Sequence, residues 1–189
     1  MDKDLVQVNT ILMNEANIPF QYRTNLPSME DIPNVHLIKK YFEPIYGYES
    51  VPPKNIFIHS FDYKFASQVA SKVIMGFLAR RTVCYCSVTM LVKGLVERES
   101  RNESISGWEL LTGARVLGLF NLGQEPTNDF GKSISAVTQV LAYRSSMGLP
   151  TVISSDEKID DILADAKRFP KPLGDLIFDD CLIVDVNSN

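Results

Sequence analysis

The sequence predicts an α/β fold: a mainly parallel five-stranded sheet with helices on both faces, a three-layer sandwich. Three observations predict it. From Lys54 onward, short apolar segments alternate with helical stretches of about ten residues or more, the pattern of successive βαβ units. The strand segments are apolar at nearly every position instead of every second one, as strands buried on both faces are. The length of 189 residues suits one medium domain with room for a short N-terminal extension.

Taken in order, residues 5–16 place Leu5, Val8, Leu12 and Ala16 at helical spacing. Ile18-Pro19 ends that helix, because the residue before proline avoids the helical region. Between Pro19 and Pro33 the turn formers Asn25, Pro27, Ser28 and Asp31 are dense, so this segment reads as a linker or surface strap. Val35–Tyr46 restarts a helix with Val35, Ile38, Tyr41, Phe42 and Ile45 on one side. Residues 1–50 are therefore expected to be a helix and strap ahead of the α/β domain, which takes up 51–189 and has no separate lid domain.

Within that domain Asn55–Ser60 is the first strand, and Ala66–Arg80 a helix with Val69, Val73, Ile74 and Phe77 inward. Thr82–Val88 is the second strand, β-branched and cysteine-rich. Thr89 is the expected cap of a helix over Met90–Glu99. Ser106–Leu111 is a short helical piece carrying Trp108, and Arg115–Leu122 is the third strand, ended by Gly123. Phe130–Met147 is a long helix closed by Gly148, and Pro150–Ser154 is the fourth strand. Ile159–Ala166 is a helix, followed by the breakers Pro170 and Pro172. Leu173–Asp180 makes one or two helical turns before the last strand, Cys181–Val186.

Composition narrows the function classes. Apolar residues make up 45% and charged residues 22%, ordinary for a globular domain. A formal charge of −4 gives no global attraction to nucleic acid, so any DNA contact needs a local patch and is expected to be weak. Met1-Asp2-Lys3-Asp4 lacks the cationic-then-apolar pattern of a signal peptide, and no apolar run approaches the roughly 18 residues of a membrane helix. A cytoplasmic location without membrane contact is the expectation. Cys84 and Cys86, two apart in a strand, should face one side, and with only His36 and His59 in the chain they lack the further ligands of a metal site. Together with Cys181 they read as reduced, buried thiols.

The stretch with most bearing on function is Ile56–Ala70: a strand, a turn of about eight residues, then a helix. That is the layout of a phosphate-binding loop. The residues that hold phosphate are missing, since there is no glycine between Ser60 and Ser67 and no lysine where the helix begins.

Two more segments belong beside it. Asn17-Ile18-Pro19-Phe20-Gln21-Tyr22-Arg23 lies just ahead of the domain. Phe130–Ile153 carries Val140, Tyr143-Arg144, Gly148 and Leu149-Pro150-Thr151-Val152-Ile153. On these three segments the chain, from Ile18 to Asn187, resembles the ATPase domain of bacterial helicase loaders and transposition helper ATPases of the DnaC/DnaI/IstB type, a branch of the AAA+ superfamily. The resemblance implies an AAA+-like P-loop NTPase fold. It also implies that the family's chemical positions are altered here. Ser60, Tyr63 and Phe65 stand in the phosphate loop where glycines are expected, and Ala66 stands where the lysine is expected. Ser67 keeps the magnesium-binding hydroxyl. Phe120-Asn121 replaces two acidic residues at the end of the third strand, the polar sensor falls on or near Asp156, and Leu176 stands where the arginine finger is expected.

Phosphoryl transfer depends on positioned positive charge, backbone N–H groups and a metal ion. Side chains at Tyr63 and Phe65 resist the tight backbone path that glycine permits. Asp62 adds repulsion toward a triphosphate, while Lys64, two residues early, could reach in as a flexible point charge. The chain is accordingly read as a non-hydrolysing pseudo-ATPase with a vestigial site at Ser60, Asp62, Lys64, Ala66, Ser67, Phe120, Asn121 and Asp156, and with no cofactor, metal or catalytic residue. Phe61, Tyr63, Phe65 and Trp108 either fill the emptied pocket or form a partner surface. The resemblance implies action through protein contacts in DNA replication, as helicase loader, loader-associated subunit or modulator, encoded by a phage or mobile element. The partner is then a replicative DNA helicase or a full-length loader. Two alternatives stay open: a residual ATP-binding loader or transposition helper, and a single-stranded DNA-binding module.

The carboxylate pairs Asp160-Asp161 and Asp179-Asp180 point about 100° apart on a helix and read as solvated surface. The doublets Lys39-Lys40 and Arg80-Arg81 read as helix-end charges.

Overall fold

The computed structural model describes residues 18–19, 21, 26–46, 55–78, 83–91, 111–124 and 130–187. The predicted helix over 5–16, most of the predicted helix 90–99 and Trp108 lie outside them. The elements are α1 (Val35–Tyr46), β1 (Asn55–His59), α2 (Tyr63–Leu78), β2 (Val83–Ser87), β3 (Val116–Leu122), α3 (Phe130–Ser146), β4 (Thr151–Ser155), α4 (Ile159–Ala164), α5 (Lys171–Asp180) and β5 (Cys181–Asp185). The strand order is β2-β3-β4-β1-β5, with every neighbouring pair parallel.

Strand alternation divides the core into two slabs. Ile56 and Ile58 of β1, Val116 and Phe120 of β3, Val152 of β4 and Val184 of β5 pack with Val69, Val73, Ile74 and Phe77 of α2. Ile18, Ile32, Ile38 and Tyr41 belong to the same slab, so the segment around α1 shares the core of the sheet. On the other face, Phe57, Cys84, Cys86, Leu117, Leu119 and Ile153 meet Ile134, Val137, Val140 and Leu141 of α3, Ile162 of α4, and Leu173 and Ile177 of α5. This is the three-layer α/β sandwich that the apolar runs predict. At Gly118, β3 and α2 are in such close approach that a Cβ would lie 2.2 Å from Ile74 Cδ1.

Three local expectations are corrected. α2 begins at Tyr63 and not at Ala66, which shortens the turn after β1 to Ser60, Phe61 and Asp62. The helix after β2 starts at Val88, and the Ser87 hydroxyl accepts the Met90 N–H at 3.1 Å, so Ser87 is the cap and not Thr89. Pro172 does not break a helix but sits in the first turn of α5, where its missing N–H would have had no partner anyway.

Because all five strands run in one direction, their carboxyl ends (His59, Ser87, Leu122, Ser155 and Asp185) share one edge of the sheet. In open α/β sheets that edge is where ligands and partners are met.

Candidate functional site

The site is built where β1 gives way to α2. Ser60 N–H donates to Ser155 O at 3.1 Å, extending the ladder with β4 by one bond beyond β1. The chain then turns within three residues, and Asp62 caps α2: its Oδ1 accepts the Lys64 N–H at 2.9 Å, while its carbonyl accepts the Ala66 N–H at 3.0 Å. A carboxylate at the positive end of a helix of 16 residues is electrostatically favoured, and it takes the place an external anion would occupy.

The rest of the turn is satisfied by Asn187, just past β5. Asn187 Oδ1 accepts the Phe61 N–H at 2.9 Å and the Ser60 hydroxyl at 3.2 Å. Ser60 Oγ in turn accepts the Asp62 N–H at 3.2 Å. Asn187 Nδ2 donates to Asp185 Oδ1 at 2.7 Å and lies 3.2 Å from His59 Nδ1, which is 3.3 Å from Asp185 Oδ2. His59 is buried, and its Nε2 has no hydrogen-bond partner among the described residues. Partial burial works to raise the Asp185 carboxyl, but the backbone and side-chain hydrogen bonds from Asn187, with His59 beside it, outweigh this and hold it below its ordinary 3.8.

A second polar group lies one turn into α2. The buried Ser67 hydroxyl donates to Asn121 Oδ1 at 2.7 Å and is 3.2 Å from Ser154 Oγ. Asn121 N–H donates to that same Ser154 oxygen at 3.1 Å. Asn121 has φ of 63°, in the left-handed region that asparagine tolerates, at an irregularity in the β3–β4 register. Phe120 belongs to the core. It is fully buried on the α2 side of the sheet, edge-on to Tyr85 at 4.8 Å, so the side chain at the end of β3 that meets Ser67 is Asn121.

Beyond β4, Asp156 Oδ2 accepts from Gln124 Nε2, while Asp156 Oδ1 is buried without a partner among the described residues. Arg168 bonds Glu157 and the carbonyl of Gly123, bracing this corner. Gly123 has φ of 104°, and a Cβ there would meet Asp156 Oδ1 at 2.9 Å.

The remaining candidates are dispersed. Ala66 is fully buried. Leu176 packs half-buried against the core slab under α5. Of the described aromatics, Phe61 is 68% exposed and Tyr63 is exposed, while Phe65 packs half-buried against the core. Lys158 Nζ stands 4.8 Å over the Phe61 ring and Lys64 Nζ 5.9 Å from the Tyr63 ring. Burial pushes the Cys84 thiol up, and pushes Cys86 and Cys181 to about 12, so these sulfurs are protonated and unreactive. Among the described residues no group of three His, Cys, Asp or Glu side chains could hold a metal ion. No described helix is long and apolar enough to cross a membrane.

As placed, these residues do not fit magnesium and a triphosphate. The Phe61 and Asp62 N–H groups of the turn and the Lys64 N–H of α2 are bonded within the protein, and the Ser67 hydroxyl is bonded to a neutral amide. The residue at the expected lysine position points into the core. Sequence reasoning missed Asn187, Asp185 and His59, which meet only because β5 pairs with β1. The one signal for it was a lone histidine closing an apolar strand.

The parallel three-layer sandwich with its strand–turn–helix at β1 has the fold of AAA+ domains among solved structures. Among solved structures the chain is similar to DnaI, with a TM-score of 0.68 and 17% identity over 90% of this chain and 95% of that one. It is similar to the DnaC helicase loader, with a TM-score of 0.63 and 15% identity over 81% of this chain and 88% of that one. AMPPCP-bound DnaA from Aquifex aeolicus matches with a TM-score of 0.64 and 12% identity over 82% of this chain, which spans only 46% of the DnaA chain. No family model and no curated protein matches the sequence.

Proposed function

We propose that this domain is a non-hydrolysing AAA+-type module that acts through protein–protein contacts in DNA replication, as a helicase loader, a loader-associated subunit or a modulator of one. The fold likeness to DnaI and to the DnaC helicase loader supports the process. The single observation that carries the non-hydrolysing half is the short, internally bonded turn ahead of α2, where Asn187 takes the Phe61 N–H and Asp62 takes the Lys64 N–H, donors that a phosphate loop leaves for its ligand. Phe61 and Tyr63, exposed at the carboxyl edge of the sheet, are the proposed partner surface, and Trp108 is kept as a candidate member of it. The proposed partner is a replicative helicase or a full-length loader.

Two measurements test the two halves separately. Calorimetric titration with ATP and Mg²⁺ is expected to give no binding, and micromolar affinity would overturn the non-hydrolysing reading. Affinity capture from the native cell is expected to enrich a replicative helicase or loader. Recovery of no replication protein sinks the functional half and leaves the fold untouched.

A further inference from the structure

The turn at 60–62 is closed from the far end of the chain. Asn187 Oδ1 takes the Phe61 N–H and the Ser60 hydroxyl, and the Ser60 oxygen takes the Asp62 N–H, so two backbone donors of the turn depend on one carboxamide. Bonds arranged head to tail in this way polarise and strengthen one another. The carboxamide is itself held. Its Nδ2 is bonded to Asp185 Oδ1, and that same oxygen accepts the Asn187 backbone N–H at 2.9 Å. Ser60 is buried and tied to β4, but at the tip burial supplies little of the restraint, because Phe61 stands 68% exposed with the His59 ring edge-on at 5.1 Å and Lys158 above it. A segment held by a few polar bonds over little apolar contact opens independently of the sheet beneath it.

We infer that Asn187, anchored by Asp185, is a latch that keeps the β1–α2 turn closed and sets the position of Phe61 and of the first turn of α2. Release of the 185–187 clasp opens the turn while the sheet stays folded. The inference does not depend on the partner proposed above.

Residue-resolved amide hydrogen exchange on the full chain tests it. In the wild type the Phe61 and Asp62 amides are expected to be protected in spite of the exposed turn. Asn187→Ala is expected to speed both about tenfold or more, with Leu119 and Ile153 keeping their wild-type rates. Asp185→Ala should move the same two amides in the same direction, since it removes the anchor and not the latch. Unprotected Phe61 and Asp62 amides in the wild type would overturn the inference without any variant. So would unchanged rates in Asn187→Ala, or a rise shared in proportion by the whole sheet, which marks global destabilisation instead of a latch.

Discussion

Arg144 is fully buried, and its guanidinium ends on the carbonyls of Leu111, Ala114 and Pro150, each at 2.8 Å, and on the Thr151 hydroxyl at 3.0 Å. None of these acceptors is a carboxylate. Burial pulls the group down to about 10, with Cys84 acting in the opposite direction, so it stays charged at neutral pH. It is the tie between the end of α3, the start of β4 and the approach to β3. Arg144→Met keeps most of the stem but strands three carbonyls, and is expected to cost about 3 kcal/mol or more, read as a lower urea midpoint. Arg144→Lys should recover only part, because a single ammonium cannot reach acceptors spread over a planar fork. Asp185 makes the second residue-scale prediction. Its carboxyl lies below 3.8 because of the Asn187 bonds, so its contribution is present above the unfolded value and is lost as pH falls through the lower folded one. Its side chain is 48% exposed, which screens the effect and keeps it local. A carboxyl NMR titration should give a midpoint below 3.8, and Asn187→Ala should move that midpoint up; a wild-type midpoint at or above 3.8 denies the clasp its hold.

At the scale of elements, the five strands and the long helices were legible because parallel strands read as continuous apolar runs and α3 keeps a helical stripe. The starts of helices were less so. The phosphate-loop layout puts the expected start of α2 three residues late, because it reserves those residues for a loop, whereas Asp62 has the side chain of a good N-cap. The helical turns expected over Leu173–Asp180 are α5, which starts two residues earlier because Pro172 is a first-turn proline and not a breaker. The cap is testable. Asp62→Ala removes the acceptor for the Lys64 N–H and should lower stability by about 1 kcal/mol in a thermal melt. Asp62→Asn caps nearly as well and should stay close to wild type. If the two variants melt alike, Asp62 contributes by charge alone or not at all.

For the whole molecule the question is whether the altered positions are separate losses or one consequence of a shorter turn. Legibility divides along that line. The absent glycines and lysine can be read one by one from the sequence, but the clasp cannot, because Asn187 and Ser60 are joined only once β5 has paired with β1. With the turn reduced to Ser60–Asp62, residue 66 no longer stands at the mouth of the helix. It lies one turn in, where its N–H closes the first helical hydrogen bond onto the Asp62 carbonyl and its side chain is fully buried. Restoring the expected lysine alone therefore starts a charged side chain from a fully buried position, on the helix face that Val69 and Ala70 share, with no phosphate to meet it. Ala66→Lys is expected to lower stability by about 3 kcal/mol and to give no ATP binding by calorimetry. Independent losses on an otherwise intact loop would give the opposite result, a stable variant with measurable affinity. Binding is expected to need the turn lengthened with glycines as well as the Asn187 latch and the Asp62 cap removed, because Asn187 holds the Phe61 N–H of the turn and Asp62 the Lys64 N–H of α2.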